Sequence, residues 1–357
     1  MRAPTLKDVA HKAGVGVVTA STVLNGASTQ TRVSQATRQR ILDAAAELRY
    51  HPNAMARGLR RRQTQTLGVL FDNPTPFTLQ TNPHTSAIME GILTTGREKG
   101  YNVLIFTPEW ESAKSSAPLF RDHSTDGIIV IAPRRHSDTV SGLCDLGIPV
   151  VVASAPAELP GVPWVDVDNV RGAQLVADHL ADLGHRRVAY LPGDESQYSV
   201  GERREALFER LLGRGILECA DYCVPGTFSS SQLTANIELL LKLPNRPTAV
   251  FATNDNMAIA LLRIAREHGI KVPEQLSVVG FDDVPLARYV TPQLTSVRHP
   301  IAEVGRWAAE TLIRKLNTPV RKVVHDVNEE EVEASEVQGM RLMPELVVRG
   351  TTAPAPK

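Results

Sequence analysis

Apolar residues recur with a helical period over the first fifty positions, and after residue 65 they cluster into short runs separated by helical stretches. Leu6, Val9, Ala10 and Ala13 fall at i, i+3, i+4 and i+7, one face of a short helix. Thr5-Leu6-Lys7-Asp8 has the form of a capping box at its start, and Gly14 suits the position that ends it. A second helix is predicted from about Val17 to Leu24, closing at Asn25-Gly26, with Ala20, Val23 and Leu24 inward. That leaves Val17, Val18, Ser21 and Thr22 outward. A third helix starts near Ser34, turns Ile41, Ala45 and Leu48 inward, and closes at Tyr50. Two short helices across a tight Gly-containing turn, followed by a third, form a helix-turn-helix whose second helix is presented to a major groove.

Pro52 stops the third helix, and Asn53 can cap a new one over about Ala54 to Arg61. This helix is under three turns long and carries Gly58, which costs roughly 1 kcal/mol relative to Ala. A helix so short is marginal alone in water, so it is expected to order on binding. Leu59 stands between Arg57 and Arg60-Arg61-Arg62, an apolar residue flanked by cations. That composition suits a wedge into a minor-groove base step. The bland alternative is that Leu59 and Met55 pack on a partner helix.

From Thr66 the runs TLGVLF (66–71), YNVLIF (101–106), DGIIVI (126–131) and IPVVVA (148–153) read as buried strands. A second set follows in WVDVD (164–168), RVAYL (187–191), TAVFAT (248–253) and LSVVGF (276–281). Helical stretches lie between them, among them 84–99, 170–183, 200–213, 232–243 and 256–268. Alternation in two successive halves predicts an α/β core of two doubly wound, mainly parallel sheets behind an all-α headpiece. Ligands bind such sheets at the carboxyl ends of the strands, and two facing lobes make a cleft there. The expected division is headpiece 1–50, hinge and linker 51–65, and core 66–357. Within the core, lobe 1 takes about 66–163 plus 295–320, and lobe 2 about 164–294 plus 321–349.

The net charge of zero conceals an asymmetry. Through residue 65 there are eleven Lys and Arg against three Asp and Glu, a net +8, so the remainder carries −8. A basic head on an acidic body implies a polyanionic partner for the head. Cys144, Cys219 and Cys223 form an odd set without a C-x-x-C, and no His or Cys cluster completes a metal site around them. They read as ordinary thiols, and no metal or cofactor is expected. There is no secretory h-region and no apolar run long enough to span a bilayer, so a cytoplasmic protein without membrane contact is expected.

The stretches TLKDVAHKAGVGVVTASTVLNG and RYHPNAMARGL resemble the DNA-binding headpiece and hinge of the lactose-repressor (LacI/GalR) family of bacterial transcription regulators. Residues 66–349 resemble that family's effector core, which is like the periplasmic sugar-binding proteins. The closest stretches are VDVDNVRGAQLVADHLADLGHRRVAYLPG, AVFATNDNMAIALLRIAREHGIKVPEQLSVVGFDDVPLARYVTPQLTSVRHPIAEVG and LMPELVVRG. The resemblance implies a dimeric, ligand-gated repressor of carbohydrate-related genes on a palindromic operator in double-stranded DNA. Its effector would be a sugar, sugar phosphate or nucleobase-like molecule in the cleft. The tail TTAPAPK has no apolar heptads, which disfavours a tetramer built on a coiled coil.

The DNA-contact candidates are Thr5, Val17, Val18, Thr19, Ser21, Thr22, Asn25 and Arg32 in the headpiece, and Asn53, Ala56, Arg57 and Leu59 in the hinge. In the headpiece two positions depart from the family, and in the core two stretches do, VVVASAPAELPG and the loop in FDNPTPFTLQTNPHTSAIMEGI after the first strand. Gly16 stands where a Ser cap is usual, and Thr22 where an Arg often reads guanine. Val17 and Val18 can meet thymine methyls but offer base edges no hydrogen bonds. The effector candidates lie near strand ends. Asn254 follows VFAT, Asp282 follows VVGF, and Arg203 opens the helix after LPGD. Phe228 in PGTFSSS offers a flat apolar face, and Phe77 lies in the loop after the first strand. By resemblance Arg203, Phe228, Asn254 and Asp282 match effector-contacting positions, whereas Asp168, Asp255 and Asp283 suit caps and turns. VVVASAPAELPG lacks the acidic residue the family often places after that strand. The acidic stretch 325–339 reads as a solvated insertion.

Two other readings compete. A sugar-binding protein with no DNA role would not need the basic headpiece. An enzyme would need a motif that is absent, since there is no G-x-S-x-G, P-loop or dinucleotide fingerprint.

Overall fold

The computed structural model describes residues 4–25, 33–51, 63–72, 83–216, 222, 224–226, 229–318 and 339–356. The chain divides into two compact units, Met1–Thr66 with His123–Thr125, and Leu67–Asp122 with Asp126–Lys357.

In the first unit, helix α1 (Leu6–Lys12) is opened by the capping box: the Asp8 amide donates to Thr5 Oγ1 and the Thr5 amide donates to Asp8 Oδ2 at 2.7 Å. Gly14 follows at φ +64°, the left-handed conformation that glycine adopts without a Cβ penalty. Helix α2 (Val17–Asn25) and helix α3 (Gln35–Glu47, with Ser34 accepting from the Thr37 amide) complete the module. Val9, Ala10, Ala13, Ala20, Val23, Ile41, Ala44 and Ala45 form its core. Five of these are alanines, so Ile41 is the one large fully buried side chain in the set.

The second unit holds two sheets. The first has the order β10-β5-β4-β3-β1-β2 and the second β11-β9-β8-β7-β6. In the first, β1 is Thr66–Phe71, β2 Asn102–Ile105, β3 Gly127–Ile131, β4 Val150–Ala153, β5 Trp164–Val167 and β10 Gly339–Leu342. In the second, β6 is Val188–Leu191, β7 Ala249–Ala252, β8 Ser277–Asp282, β9 Thr295–Arg298 and β11 Glu345–Val347. The inner strands of each sheet are buried on both faces under helices, which is why β1, β3, β4, β7 and β8 are mainly continuous apolar runs, whereas β2, β10 and β11 are only partly buried. β11 pairs antiparallel with β9, while the other registered pairs are parallel.

The lobe division differs from the sequence expectation at three strands. β5, expected in lobe 2, pairs with β4 in the first sheet; β9, expected in lobe 1, pairs with β8 in the second; β10, expected in lobe 2, pairs with β5 in the first. The reason is topological. Each of these strands ends one lobe and is followed at once by an element of the other. β5 leads through Asp168 into α7 (Asn169–Asp182) of the second lobe. β9 leads through His299-Pro300 into α11 (Ile301–Asn317) of the first, and β10 leads through Met343-Pro344 into β11. Apolar periodicity marks a strand but not its partner.

Helix α4 (Pro83–Lys99) crosses α11 at two glycines. A Cβ on Gly91 would collide with the Ala302 carbonyl oxygen, and one on Gly305 with the Ile88 carbonyl oxygen. This close backbone approach fixes α4 against α11 just behind the crossover at His299.

Candidate functional site

In the headpiece, α2 turns Ala20 and Val23 into the core and leaves Val17 and Val18 exposed, Val18 by 77%. The outward apolar pair read from the sequence is therefore presented to solvent. Thr19, Ser21 and Thr22 are half-buried. The Thr22 hydroxyl donates to the Val18 carbonyl oxygen at 2.9 Å, so it is already satisfied by its own helix. Thr5 spends its hydroxyl on the capping box. Asn25 closes α2. Arg32, Asn53, Ala56, Arg57 and Leu59 lie outside the described residues, as do Phe77, Phe228 and nearly all of the acidic stretch.

In the core, the lobes meet where the carboxyl ends of the two sheets face each other. Arg203 lies in α8 (Tyr198–Gly213) and is buried. Its Nε donates to Asn169 Oδ1 at 2.9 Å, its Nη1 donates to the Thr253 carbonyl oxygen at 2.5 Å, and its guanidinium stacks 3.5 Å from the Phe281 ring centroid. A planar guanidinium held on two sides and one face keeps its remaining donors in a fixed direction. Asn169 opens the first turn of α7 and also donates through Nδ2 to Asp166 of β5 at 3.0 Å and to Glu202 of α8 at 2.9 Å. Glu202 in turn accepts from Arg341 of β10 at 3.0 Å. One amide thus ties Arg203 to carboxylates of both lobes. Burial, followed by the nearby Glu202 charge, pushes the Asp166 carboxyl up to about 7, although the Val167 amide opposes the shift.

Asp282 ends β8 at φ +114°, a conformation that side chains other than glycine rarely adopt, and Asp283 follows at φ +50°. Their surroundings hold this strained turn in place. Asp283 pairs with Arg298 at 2.7 Å and Arg349 at 2.6 Å, and its amide donates to Ser296 Oγ. The Val284 amide donates to Asp255 Oδ2 at 2.8 Å. Asp255 and Asp283 are thus structural, as the caps-and-turns reading has it, and Asp168 accepts from the Arg171 amide as the cap of α7. Asn254 likewise caps α10 (Asp255–Glu267), its Oδ1 accepting from the Met257 amide, so only its amide nitrogen is left for a ligand.

Two residues missed from the sequence complete the site. His84, in the first turn of α4, and His299, on the crossover after β9, converge on Asp282; the ligand atoms of the three lie within 4.8 Å of one another. His299 Nε2 lies 3.1 Å from Asp282 Oδ1, and the two imidazole centroids are 5.8 Å apart. Burial drives the His84 imidazole down to about 4 against the pull of Asp282, and burial likewise lowers His299. Burial alone would raise Asp282, but the His299 hydrogen bond, the two imidazoles in the protonated form they take at the acid pH where a carboxylate titrates, and the Arg203 charge hold it below the ordinary carboxylate range, so near neutral pH Asp282 is charged while both imidazoles are not. Two neutral imidazoles therefore flank one carboxylate. Asn82-Pro83 is a helix-start signal that places His84 in a first turn, and His299 directly follows a strand, the same position that singled out Asp282.

The closure of the lobes has its own contacts. Arg134 of the first lobe bridges Gln197 of the second, the Arg135 amide donates to the Ser196 carbonyl oxygen at 2.8 Å, and the Tyr198 hydroxyl donates to Glu158. Arg134 is itself held by buried Asp72, which also accepts from Thr139.

A helix-turn-helix unit and a two-lobed core with a polar cleft define a ligand-responsive DNA-binding regulator. Residues 5–53 match the model described as bacterial regulatory proteins, lacI family, and residues 177–352 the periplasmic binding protein-like domain. The chain is 32% identical over 359 residues to the HTH-type transcriptional repressor CytR of Escherichia coli K12, covering 99% of this chain and 98% of the relative. Among solved structures it is similar to a transcriptional regulator CelR–cellobiose complex (TM-score 0.70, 30% identity, 98% and 99% of the two chains). It is also similar to a lac repressor dimer bound to operator and the anti-inducer ONPF (TM-score 0.81, 25% identity, 99% and 100%). The chain belongs to the lacI family of bacterial transcription regulators and is a DNA-binding repressor rather than an enzyme. No described helix is long and apolar enough to cross a membrane.

Proposed function

We propose that the protein is a cytoplasmic homodimeric repressor that binds a palindromic operator through α2 and is gated by an uncharged, hydroxyl-rich carbohydrate in the inter-lobe cleft. The observation that carries the effector class is the charge balance of the cleft. Arg203 and Asp282 offset one another, while His84 and His299 are neutral. Paired donors and acceptors of this kind suit hydroxyl groups, whereas a phosphate would have to share Arg203 with a nearby carboxylate. The similarity to the CelR–cellobiose complex supports a carbohydrate, and that to the operator-bound lac repressor dimer supports a two-fold assembly. On the DNA, Val17 and Val18 meet thymine methyls, and Arg32, Asn53, Ala56, Arg57 and Leu59 add backbone and minor-groove contacts. Phe77, Phe228 and Asn254 add to the effector site around Arg203 and Asp282.

A thermal-shift screen of neutral sugars, their phosphates and nucleosides tests this reading. A neutral sugar at 100 times its Kd is expected to stabilise the core by about 2.7 kcal/mol. Stabilisation by phosphorylated sugars alone, or by nucleosides alone, would overturn the assigned class.

A further inference from the structure

Two neutral histidines and one carboxylate converge from three separate elements, an arrangement that a hydroxyl-binding cleft does not require. His84 belongs to α4 of the first lobe, Asp282 to β8 of the second, and His299 to the crossover between them. We propose that His84, Asp282 and His299 form a binding site for a borderline divalent transition metal such as Zn2+, Co2+ or Ni2+.

The donor set fits that class of ion. Imidazole nitrogens suit zinc, cobalt and nickel, whereas calcium and magnesium prefer all-oxygen shells. Metal–nitrogen bonds of about 2.0–2.1 Å place tetrahedral donors about 3.4 Å apart. The His299–Asp282 pair is already at 3.1 Å, and no pair of ligand atoms exceeds 4.8 Å, so a small inward movement completes the set. The second observation is His299 itself. It is 5% exposed, its Nε2 is the nitrogen that faces Asp282, and its Nδ1 is buried with no hydrogen-bond partner among the described residues. Arg203 is the opposing charge that faces the cluster. Asp282 compensates it, which sets the expected affinity at micromolar rather than at the level of a structural zinc site. Three protein ligands leave coordination positions open toward the cleft, where a water or an effector hydroxyl can bind. An ion there would fasten the first turn of α4 to the end of β8 and so favour the closed lobes.

The inference concerns the same cleft as the proposed effector site, but it does not depend on which effector binds, and its test uses none. Full-length protein stripped with a chelator and dialysed free of it is titrated with Co2+ by visible absorption and with Zn2+ by calorimetry, with Mg2+ as a control. One ion per chain with micromolar affinity is expected, together with a Co2+ d–d band and no response to Mg2+. His84→Ala and His299→Gln should each weaken binding at least tenfold, with the circular dichroism spectrum unchanged. If either variant is misfolded, His84→Gln supplies the same comparison at a half-buried position. No Co2+ band and no Zn2+ heat up to millimolar concentration would overturn the proposal. Undiminished binding in the variants would overturn it too, since the ion would then sit elsewhere.

Discussion

In the headpiece, the outward face of α2 offers the bare methyl groups of Val17 and Val18 to solvent, and the Thr22 hydroxyl is spent on its own helix. In the core, Arg203, Asn169 and Asp282 are buried, and each is fixed by hydrogen bonds to its neighbours. The outward face of α2 presents two bare apolar side chains, while the cleft holds a hydrogen-bonded polar network. On the proposed function, the difference follows from what each would discriminate. Thymine methyls reward shape and apolar contact, whereas a small polar ligand rewards donors and acceptors held at fixed positions. It also follows from size. A headpiece core made largely of alanines has little surplus stability, while the core unit buries both faces of two sheets and can hold a strained turn at Asp282.

The contrast can be broken at several points. Ile41→Ala removes the one large fully buried side chain of the headpiece core set and should cost about 2–5 kcal/mol. Differential scanning calorimetry should show the headpiece transition lost and the core transition unmoved; a single transition shifting as a whole would mean the units do not fold independently.

The cleft's electrostatics predict the next effect. His84 lies at about 4 in the folded protein against an ordinary value of 6.5, so the unfolded chain binds the proton more tightly. Its contribution to core stability is therefore complete above pH 6.5 and is lost as pH falls from 6.5 toward 4, to a total of about 3 kcal/mol. Urea melts at pH 7.5 and 4.5 should separate in midpoint, and His84→Gln should narrow that separation.

Asp282→Asn preserves shape but removes a charged acceptor. Effector affinity should fall by about tenfold to a hundredfold, or roughly 1.5–3 kcal/mol, with operator affinity unchanged. Parallel losses in both assays would make Asp282 a structural residue. The smallest effect belongs to Val18→Ala. Stability should change by no more than about 0.5 kcal/mol, because the side chain is exposed. Selection from random duplexes should nevertheless show weaker preference for thymine at one position of each half-site.

The headpiece was legible almost residue by residue, because each of its signals is local: a capping box, a glycine at a left-handed C-terminus and a period-3.6 apolar face. The strands of the core were legible for the same reason. What escaped was pairing. β5, β9 and β10 belong to the opposite sheet from the one their neighbours in sequence suggest, since a lobe crossover leaves no periodic trace. The same blindness hid the histidines. His84 and His299 are separated by more than two hundred positions; the β8–β9 register, with Asp282 opposite Arg298, sets His299 beside Asp282, and α4, packed on α11 at Gly91 and Gly305, carries His84 to them. Asn254 was legible as a strand-end polar residue, but its role as a helix cap shows only once α10 is in place.

Ligand-gated repression requires energetic coupling between the cleft and the DNA-binding headpiece. That coupling is tested most directly by fluorescence anisotropy of a selected palindromic duplex, titrated with full-length protein with and without a sugar that stabilises the core. The sugar is expected to change operator affinity by about 5- to 150-fold, and operator DNA to change sugar affinity by the same factor. A sugar that binds the cleft and leaves operator affinity unchanged would contradict it.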